Sequence, residues 1–135
     1  MDTDGLTRKV IGAAIKVHRS LGPGLLESVY EECLCVELGR QTIPFVRQKF
    51  IPIVYEGILI AADLRFDLLI ADQVVVELKC VERLAPIHKA QLLTYLRLMR
   101  RRVGLLINFH VPVLKDGITR MVNGYSDSVS PCLGG

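Results

Sequence analysis

The sequence lacks any apolar run approaching the roughly 18 to 20 residues that a membrane-spanning helix needs. Its first ten residues, MDTDGLTRKV, also lack the apolar segment of a signal peptide. We therefore expect a cytoplasmic protein that does not span a membrane. Proline and glycine are modest in number and half of the 135 residues are hydrophobic, so the composition indicates a globular chain and excludes a disordered one.

The sequence also lacks the cysteine and histidine spacings of a zinc site. Its four cysteines, Cys33, Cys35, Cys80 and Cys132, contain no CxxC pair, and no histidine pair has ligand spacing. Because reduced cysteine behaves as a small hydrophobic residue, we expect buried free thiols.

The chain length limits the number of domains. The 135 residues are enough for one domain with a core and too few for two. We expect a single domain over residues 1–125. Residues 126–135, SDSVSPCLGG, have the composition of a loosely ordered C-terminal tail.

Positive charge is concentrated in one segment. Residues 79–102 contain seven lysines and arginines against a single acid, whereas the whole chain carries a net charge of only +3. A basic segment on an otherwise slightly acidic chain suits attraction to a nucleic-acid backbone. A solvated helix whose arginines favour the C-terminal end of its dipole explains the same charges, and charge alone leaves both interpretations open.

Hydrophobic periodicity predicts the order helix, helix, three strands, helix, strand. This order indicates an α/β fold, a mixed β-sheet flanked by helices. The predicted helices cover residues 6–21, 25–39 and 87–101, and the predicted strands cover 45–57, 58–70, 74–79 and 103–109, with hairpin turns at 56–57 and 71–73.

One predicted hairpin, RFDLLIADQVVVELK, brings charged side chains together. If residues 71–73 form a three-residue loop, Asp67 lies opposite Glu77, and Lys79 shares their face. Two opposed carboxylates repel each other unless a cation lies between them. A hard divalent metal, which takes carboxylate and backbone oxygens as ligands, would supply that cation. Alternatively, Lys79 is the cation, and the three residues form a salt-bridge cluster at an exposed sheet edge.

Two predicted helices carry polar residues at helical spacing. Glu27 and Tyr30 share a face of the second helix, and His88, Gln91 and Tyr95 form one stripe of the third. Each residue also has an ordinary interpretation: a surface acid, an exposed histidine in a first turn, or a hydrogen-bonded contact between helix and sheet.

Several ordered motifs carry a family resemblance. GLLESVY matches a GxxExxY signature, and the match continues through DLLI, VVVELK, HKAQLLTYL and GLLINF, together spanning residues 6–125. The chain thus resembles the GxxExxY protein family, a branch of the PD-(D/E)XK nuclease superfamily. The resemblance implies a restriction-endonuclease-like core in a single nuclease-like domain. One position departs from the motif, because Phe66 precedes Asp67 where proline is usual; we expect Phe66 to point to the opposite face of the strand.

The resemblance implies a metal-dependent nuclease, with DNA favoured over RNA as the substrate. It implies Mg²⁺ or Mn²⁺ as the cofactor, the metals that carboxylate-rich oxygen sites prefer. The implied catalytic residues are Asp67, Glu77, Lys79 and Gln91. The implied metal ligands are Glu27, Asp67, Glu77 and the backbone carbonyl of Leu78. The residues expected to contact nucleic acid are Tyr30, His88, Lys89, Tyr95 and Arg97.

Other functions remain open from the sequence. A non-catalytic module that keeps the nuclease fold and binds nucleic acid or a partner would explain the basic segment and the lack of a second domain that selects a substrate. A plain α/β scaffold with a salt-bridge cluster is a third interpretation. Since so small a domain needs a second copy to grip a long duplex, we also expect a homodimer.

Overall fold

A computed structural model describes residues 2–124 of the chain. Three helices flank a mixed five-stranded sheet, and two further strands form a separate hairpin. The predicted α/β class, with helices on a mixed sheet, is confirmed. The predicted C-terminal tail, 126–135, lies outside the described residues. The helices are α1 (Thr3–Leu21), α2 (Glu27–Arg40) and α3 (Pro86–Met99), and the strands are β1 (Phe45–Arg47), β2 (Ile53–Tyr55), β3 (Ile58–Ile60), β4 (Leu68–Ile70), β5 (Val74–Lys79), β6 (Val103–Asn108) and β7 (Ile118–Val122).

The main sheet has the strand order β1-β4-β5-β6-β7. Strands β5 and β6 run parallel, joined by α3, and the other neighbouring pairs are antiparallel. The β4-β5 hairpin has the predicted register, since Leu68 pairs with Val76 and Ile70 with Val74. Its turn is formed by residues 71–73, as predicted. That register makes Asp67 and Glu77 the next opposed pair, one step beyond the ladder.

The two long strands predicted over 45–57 and 58–70 are wrong in extent. Each run is broken into two short strands, and β1 and β4 join the main sheet while β2 and β3 form the separate hairpin. The turn at Glu56 and Gly57 is as predicted, with both residues at positive φ. Pro52, which lacks an N–H and cannot donate to a ladder, lies between β1 and β2.

Apolar side chains cover both faces of the sheet. Helices α1 and α2 pack on one face, where Leu34 and Val76 are fully buried, and α3 packs on the other, where Leu92 and Val75 are fully buried. Strands β5 and β6 are therefore buried on both faces, as the continuous aliphatic runs of their sequences require.

Phe66 packs on the side of the sheet that α3 covers. It is 2% exposed and lies in the same cluster as Leu69. Asp67 instead lines the cavity beside α2, so these contacts agree with the expectation that Phe66 points away from Asp67.

The described cysteines are free thiols, as expected, but only one of them is buried. Cys33, Cys35 and Cys80 are free thiols; Cys35 is buried and the other two are half-buried. Cys132 lies outside the described residues. Within residues 2–124, no helix is both long enough and apolar enough to cross a membrane.

Candidate active site

Charged side chains collect where β4 begins and β5 ends. The three valines of β5 are fully buried, and they are followed on the same strand by Glu77, which is 6% exposed, and by half-buried Lys79. Asp67 lies across the hairpin from Glu77, immediately before β4. Because β5 is the central strand of the sheet, its end carries these side chains from the core to the surface.

The two acids are held by crossed hydrogen bonds. The backbone N–H of Asp67 donates to Glu77 Oε1 at 2.8 Å, and the N–H of Leu78 donates to Asp67 Oδ2 at 2.8 Å. In a regular antiparallel ladder these two N–H groups would donate to backbone carbonyls. Here they donate to side-chain oxygens instead. Each carboxylate is fixed by the backbone of the opposite strand, so the two are held side by side.

Too little positive charge surrounds Asp67 and Glu77 to neutralise both carboxylates. Burial, and then the charge of Asp67, raise the pKa of Glu77 to about 8, and burial also raises the pKa of Asp67. The charge of Lys79 lowers the pKa of both acids. Among the residues that the structure describes, however, Lys79 makes no ion pair, so the salt-bridge cluster considered from the sequence is not formed there.

A cavity of about 270 Å³ opens on the α2 side of Asp67. Glu27, the first residue of α2, is exposed at its wall, and its charge contributes to raising the pKa of Glu77. The sequence therefore places a third acid beside the pair. The cavity is lined by Glu27, Ser28, Glu31, Gln48, Asp67 and Leu78.

The backbone of Leu78 faces the same side as Asp67. Its N–H donates to Asp67, whereas the neighbouring carbonyl, that of Lys79, accepts the N–H of Phe109 at 2.9 Å on the β6 side. Because the backbone groups of successive strand residues point to alternate sides, the Leu78 carbonyl is directed towards Asp67.

The carboxylate oxygens of this site suit a hard divalent cation, although the predicted ligands do not all lie close together. Asp67 and Glu77 supply two adjacent carboxylates, the groups that Mg²⁺ and Mn²⁺ prefer. Over residues 2–124, no three His, Cys, Asp or Glu side chains are grouped closely enough to hold a metal ion. Glu27 therefore lies beside the acid pair without joining it in a single cluster.

On the α3 side, Gln91 and Tyr95 are joined as the sequence pattern implied. Gln91 Nε2 donates to the Tyr95 hydroxyl at 2.9 Å. Burial, and then the charge of Glu77, raise the pKa of Tyr95, which places the phenol beside the acids. Gln91 itself is exposed, so its amide is accessible from solvent.

Comparison with known proteins identifies the family of this domain. A sequence model of the PD-(D/E)XK nuclease superfamily matches residues 4–121. The chain belongs to the PD-(D/E)XK nuclease superfamily. No curated protein and no solved structure matches it. Membership confirms the restriction-endonuclease-like core and supports a nuclease-type function that acts on nucleic acid, and nucleases of this superfamily generally use divalent metals. The narrower GxxExxY branch stays a prediction.

Tyr30 has a structural role in this PD-(D/E)XK domain, and its predicted contact with nucleic acid is wrong. Its side chain is fully buried, with the ring stacked on Phe109 at 4.3 Å between centroids. The hydroxyl donates to the Gly22 carbonyl at 2.5 Å and accepts the N–H of Leu25 at 3.2 Å. Tyr30 therefore fixes the turn that leads into α2 and presents Glu27.

Tyr95 is also placed differently from the prediction. Its side chain is 5% exposed and its ring packs among the apolar residues under α3. A base cannot stack on a ring in that position, so the predicted contact between Tyr95 and nucleic acid is wrong. Its hydroxyl instead holds the amide of Gln91.

The other residues predicted to contact nucleic acid, His88, Lys89 and Arg97, lie on α3. Lys89 and Arg97 are exposed. His88 is half-buried, and its Nδ1 accepts the N–H of Ala85 at 3.0 Å, which caps the helix. Part of the basic segment is structural, because Arg101 pairs with Asp72 at 2.6 Å. Contacts of Lys89, Arg97 and His88 with nucleic acid stay predictions.

Three residues of this PD-(D/E)XK site were missed from the sequence: Glu31, Arg47 and Gln48. Glu31 is 7% exposed, and it accepts hydrogen bonds from Arg47 Nη2 and Gln48 Nε2, both at 2.8 Å. Gln48 Nε2 also donates to Asp67 Oδ1 at 3.2 Å. The sequence offered one signal, since Glu31 lies four residues after Glu27 on α2.

Proposed function

We propose that this domain is a Mg²⁺- or Mn²⁺-dependent nuclease that hydrolyses phosphodiester bonds, with DNA as the expected substrate. The observation that carries the proposal is the adjacent carboxylates of buried Glu77 and half-buried Asp67, in a member of a nuclease superfamily. Burial and mutual repulsion raise the pKa of Glu77, so the ionised pair requires a cation, and nearby Lys79 does not pair with it.

The expected metal ligands are Asp67, Glu77, the Leu78 carbonyl and Glu27. Asp67 and Glu77 are already fixed by backbone donors, whereas Glu27 is exposed and free of a fixed hydrogen bond among the described residues. A divalent cation bound there would polarise a phosphodiester oxygen and lower the pKa of a bound water. Glu27 would then complete the ligand set from the α2 side.

Lys79 and Gln91 are the expected catalytic groups outside the metal ligands. Lys79 makes no ion pair in the described part of the chain, so its ammonium is available to a phosphate oxygen on which negative charge develops. Gln91 is exposed and anchored by Tyr95, so its amide can hydrogen-bond to the phosphate or to the attacking water. Both would act from the face on which Glu77 lies.

The exposed basic side chains of α3 mark the expected path of the substrate. Lys89 and Arg97 are exposed on the helix that carries Gln91. Long-range attraction to phosphates would align a strand along this helix, and its strength would fall with salt. His88 would contribute from the first turn, with Nε2 as its outward donor, because Nδ1 is engaged in the cap.

Incubation with single- and double-stranded DNA and RNA, with Mg²⁺ or Mn²⁺, tests the proposal. The wild-type protein should cut at least one DNA substrate, and Lys79→Ala should abolish cutting. Lys9→Ala, which removes an exposed lysine of α1, is the matched control and should keep wild-type activity. Cutting by Lys79→Ala at the wild-type rate would refute the assignment of Lys79.

A non-catalytic binding module is the second candidate. One observation favours it: within residues 2–124, no three metal-ligating side chains lie close enough together to hold a metal ion. Titration of the protein with Mn²⁺ separates the two functions. Salt-dependent retention of DNA, without heat of Mn²⁺ binding and without cutting, would support the binding module and overturn the nuclease.

We also propose that two copies associate through the hairpin of β2 and β3. Val54, Tyr55, Ile58 and Leu59 are each 64% to 70% exposed, although they are large and apolar. Glu56 is the only charged residue in 50–62, so this hairpin offers no cation to a phosphate and suits an apolar partner such as its own copy. The cytoplasmic location expected from the sequence stays a prediction.

Sedimentation equilibrium tests this association. Leu59→Glu should convert a dimer to a monomer, whereas Val36→Glu, at a 54% exposed position of α2, should leave it dimeric. A monomeric wild-type protein, or a dimeric Leu59→Glu variant, would overturn the proposal.

A further inference from the structure

We propose that Gln48 is a positioning residue that orients the Asp67 carboxylate for the divalent cation. Behind Gln48, Glu31 and Arg47 hold its side-chain amide in place. The inference rests on the proposed metal-dependent nuclease function and deepens it, because it explains how one ligand is held before the metal arrives.

Gln48 contacts Asp67 at two points. Its backbone N–H donates to the Asp67 carbonyl at 3.0 Å, and its side-chain Nε2 donates to Asp67 Oδ1 at 3.2 Å. The N–H of Leu78 donates to the other oxygen, Oδ2, at 2.8 Å. Each carboxylate oxygen therefore has one fixed donor, and since each can accept a second interaction, both can still face a cation.

Asp67 needs this support because it lies outside the regular strand. Strand β4 begins at Leu68, so Asp67 is not held by the ladder that aligns the rest of the hairpin. Without the amide of Gln48, only the Leu78 N–H would fix the Asp67 carboxylate, and a single donor leaves the group free to rotate about its Cβ–Cγ bond.

The Gln48 amide is itself held by an ion pair between buried Glu31 and half-buried Arg47. Its Nε2 donates to Glu31 Oε1 at 2.8 Å as well as to Asp67, so both N–H groups are used. The second oxygen of Glu31 accepts from Arg47 Nε at 3.1 Å and Nη2 at 2.8 Å. Because the guanidinium of Arg47 already pairs with Glu31, we assign Glu31 a role through Gln48 and not as a ligand.

The backbone of Gln48 lies in a region that suits glycine. Its φ is +47°, in the left-handed region that residues with a Cβ rarely adopt. Glycine would adopt the same backbone without strain. The side chain of Gln48 adds contacts with Asp67 and Glu31 that glycine could not make.

The matched variants are Gln48→Gly, which removes the amide and suits the backbone, and Gln48→Ala, which removes the amide and keeps the strain. Calorimetric titration of the metal-free protein with Mn²⁺ gives the dissociation constant. Both variants should bind Mn²⁺ about 10- to 100-fold more weakly, the usual loss when a residue that orients a ligand is removed. Excess Mn²⁺ should restore cutting of DNA to nearly the wild-type rate.

Thr42→Gly is the control for relief of backbone strain. Thr42 also has a positive φ, 54°, is exposed, and does not line the cavity beside Asp67. It should bind Mn²⁺ as tightly as the wild type. Circular dichroism melting of all the metal-free variants separates stability from affinity, and Gln48→Gly should melt at a higher temperature than Gln48→Ala, because both lose the same hydrogen bonds and only the alanine variant keeps the backbone strain.

The outcomes distinguish this inference from the proposed function. If the wild type binds Mn²⁺ and cuts DNA, and Gln48→Gly binds Mn²⁺ equally tightly, the positioning role is refuted and the nuclease stands. If the weaker binding of Gln48→Gly is matched by a large fall in melting temperature, the role is structural and the inference is also refuted. If the wild type neither binds Mn²⁺ nor cuts, both proposals fail together.

Discussion

Two buried glutamates lie on opposite sides of Asp67, and they differ in their partners. Glu31 is 7% exposed and Glu77 is 6% exposed, so burial does not distinguish them. Glu31 contacts the guanidinium of Arg47 and the amide of Gln48. Glu77 accepts one backbone N–H and faces a second carboxylate. The guanidinium of Arg47 therefore neutralises Glu31, whereas Glu77 has no such partner among the described residues.

The two glutamates differ in the positive charge beside them, since Arg47 pairs with Glu31 and no cation pairs with Glu77 among the described residues. Hydrogen bonds to Glu32 and Glu31 raise the pKa of Arg47, so the corner of α2 and β1 holds a stable ion pair. At the end of β5, burial and the charge of Asp67 raise the pKa of Glu77 to about 8. The first corner supports the structure, and the second has the properties of a site that binds a cation.

The largest expected effect separates the two glutamates by activity. Glu77→Gln should lower the rate of DNA cleavage at least roughly 1,000-fold, which corresponds to about 4 kcal/mol of transition-state stabilisation, because the proposed nuclease would lose a charged metal ligand. Glu31→Gln should keep at least about a tenth of the rate, because its effect passes through Gln48. If both variants lost the same fraction of the cleavage rate in a single-turnover assay, the distinction between the two acids would be refuted.

The dependence of stability on pH should come from Glu77. Its pKa is raised from 4.5 to about 8 in the folded protein, so the unfolded chain releases its proton first as the pH rises. Without metal, the free energy of unfolding should therefore be highest below pH 4.5 and fall by up to roughly 4 kcal/mol by pH 8. Urea denaturation at several pH values measures this fall.

Glu77→Gln should remove most of this dependence, because a glutamine side chain does not titrate. Added Mn²⁺ should raise the melting temperature of the wild type more at pH 8 than at pH 6, since it binds the ionised acids. A metal-free protein that becomes more stable between pH 5 and pH 8 would contradict the unpaired state of Glu77.

The next effect concerns stability at the other glutamate. Glu31→Gln should lower the free energy of unfolding by about 1 to 2 kcal/mol, because a buried charge-assisted hydrogen bond to Arg47 is lost. Glu37→Gln, which breaks surface pairs with Lys16 and Arg40, should cost less than about 1 kcal/mol. A larger loss in Glu37→Gln than in Glu31→Gln would reverse the expected order.

The smallest expected effect extends the comparison to arginines of the basic segment. Arg97 is exposed and has no ion pair within residues 2–124, whereas Arg101 pairs with Asp72. Arg97→Ala should weaken DNA binding by only a few-fold. It should also reduce the slope of the logarithm of the binding constant against the logarithm of salt concentration by the amount expected for the loss of about one phosphate contact. Fluorescence anisotropy at several salt concentrations measures both changes, with Arg8→Ala as the exposed control on α1.

The sequence determined the acid pair better than it determined the surroundings of the pair. Asp67 and Glu77 could be placed opposite each other because a three-residue turn fixes the register of a hairpin, and that register is found. Tyr30 and Tyr95 were misplaced because helical spacing gives the angle between residues and not which side faces the core. Packing on Phe109 and under α3 decides that question.

The network behind Asp67 and the extent of the strands required tertiary information. Glu31 and Gln48 are 17 residues apart, and their contact depends on how α2 packs beside β1. The apolar runs over 45–57 and 58–70 continue through two different sheets, so periodicity alone could not show where one sheet ends and the other begins.

The turn of residues 71–73 lies at the far end of the hairpin from the acids, yet its length determines their pairing. Ala71 and Asp72 have φ angles of 51° and 58°, so glycine or asparagine would adopt this turn without moving β4 or β5, and a change at Asp72 would cost only its ion pair with Arg101. Inserting or deleting a single residue would instead slip β4 by one position against β5 and carry Asp67 to the other face. For anyone who grafts tags or loops into this protein, the turn tolerates changes of residue but not of length.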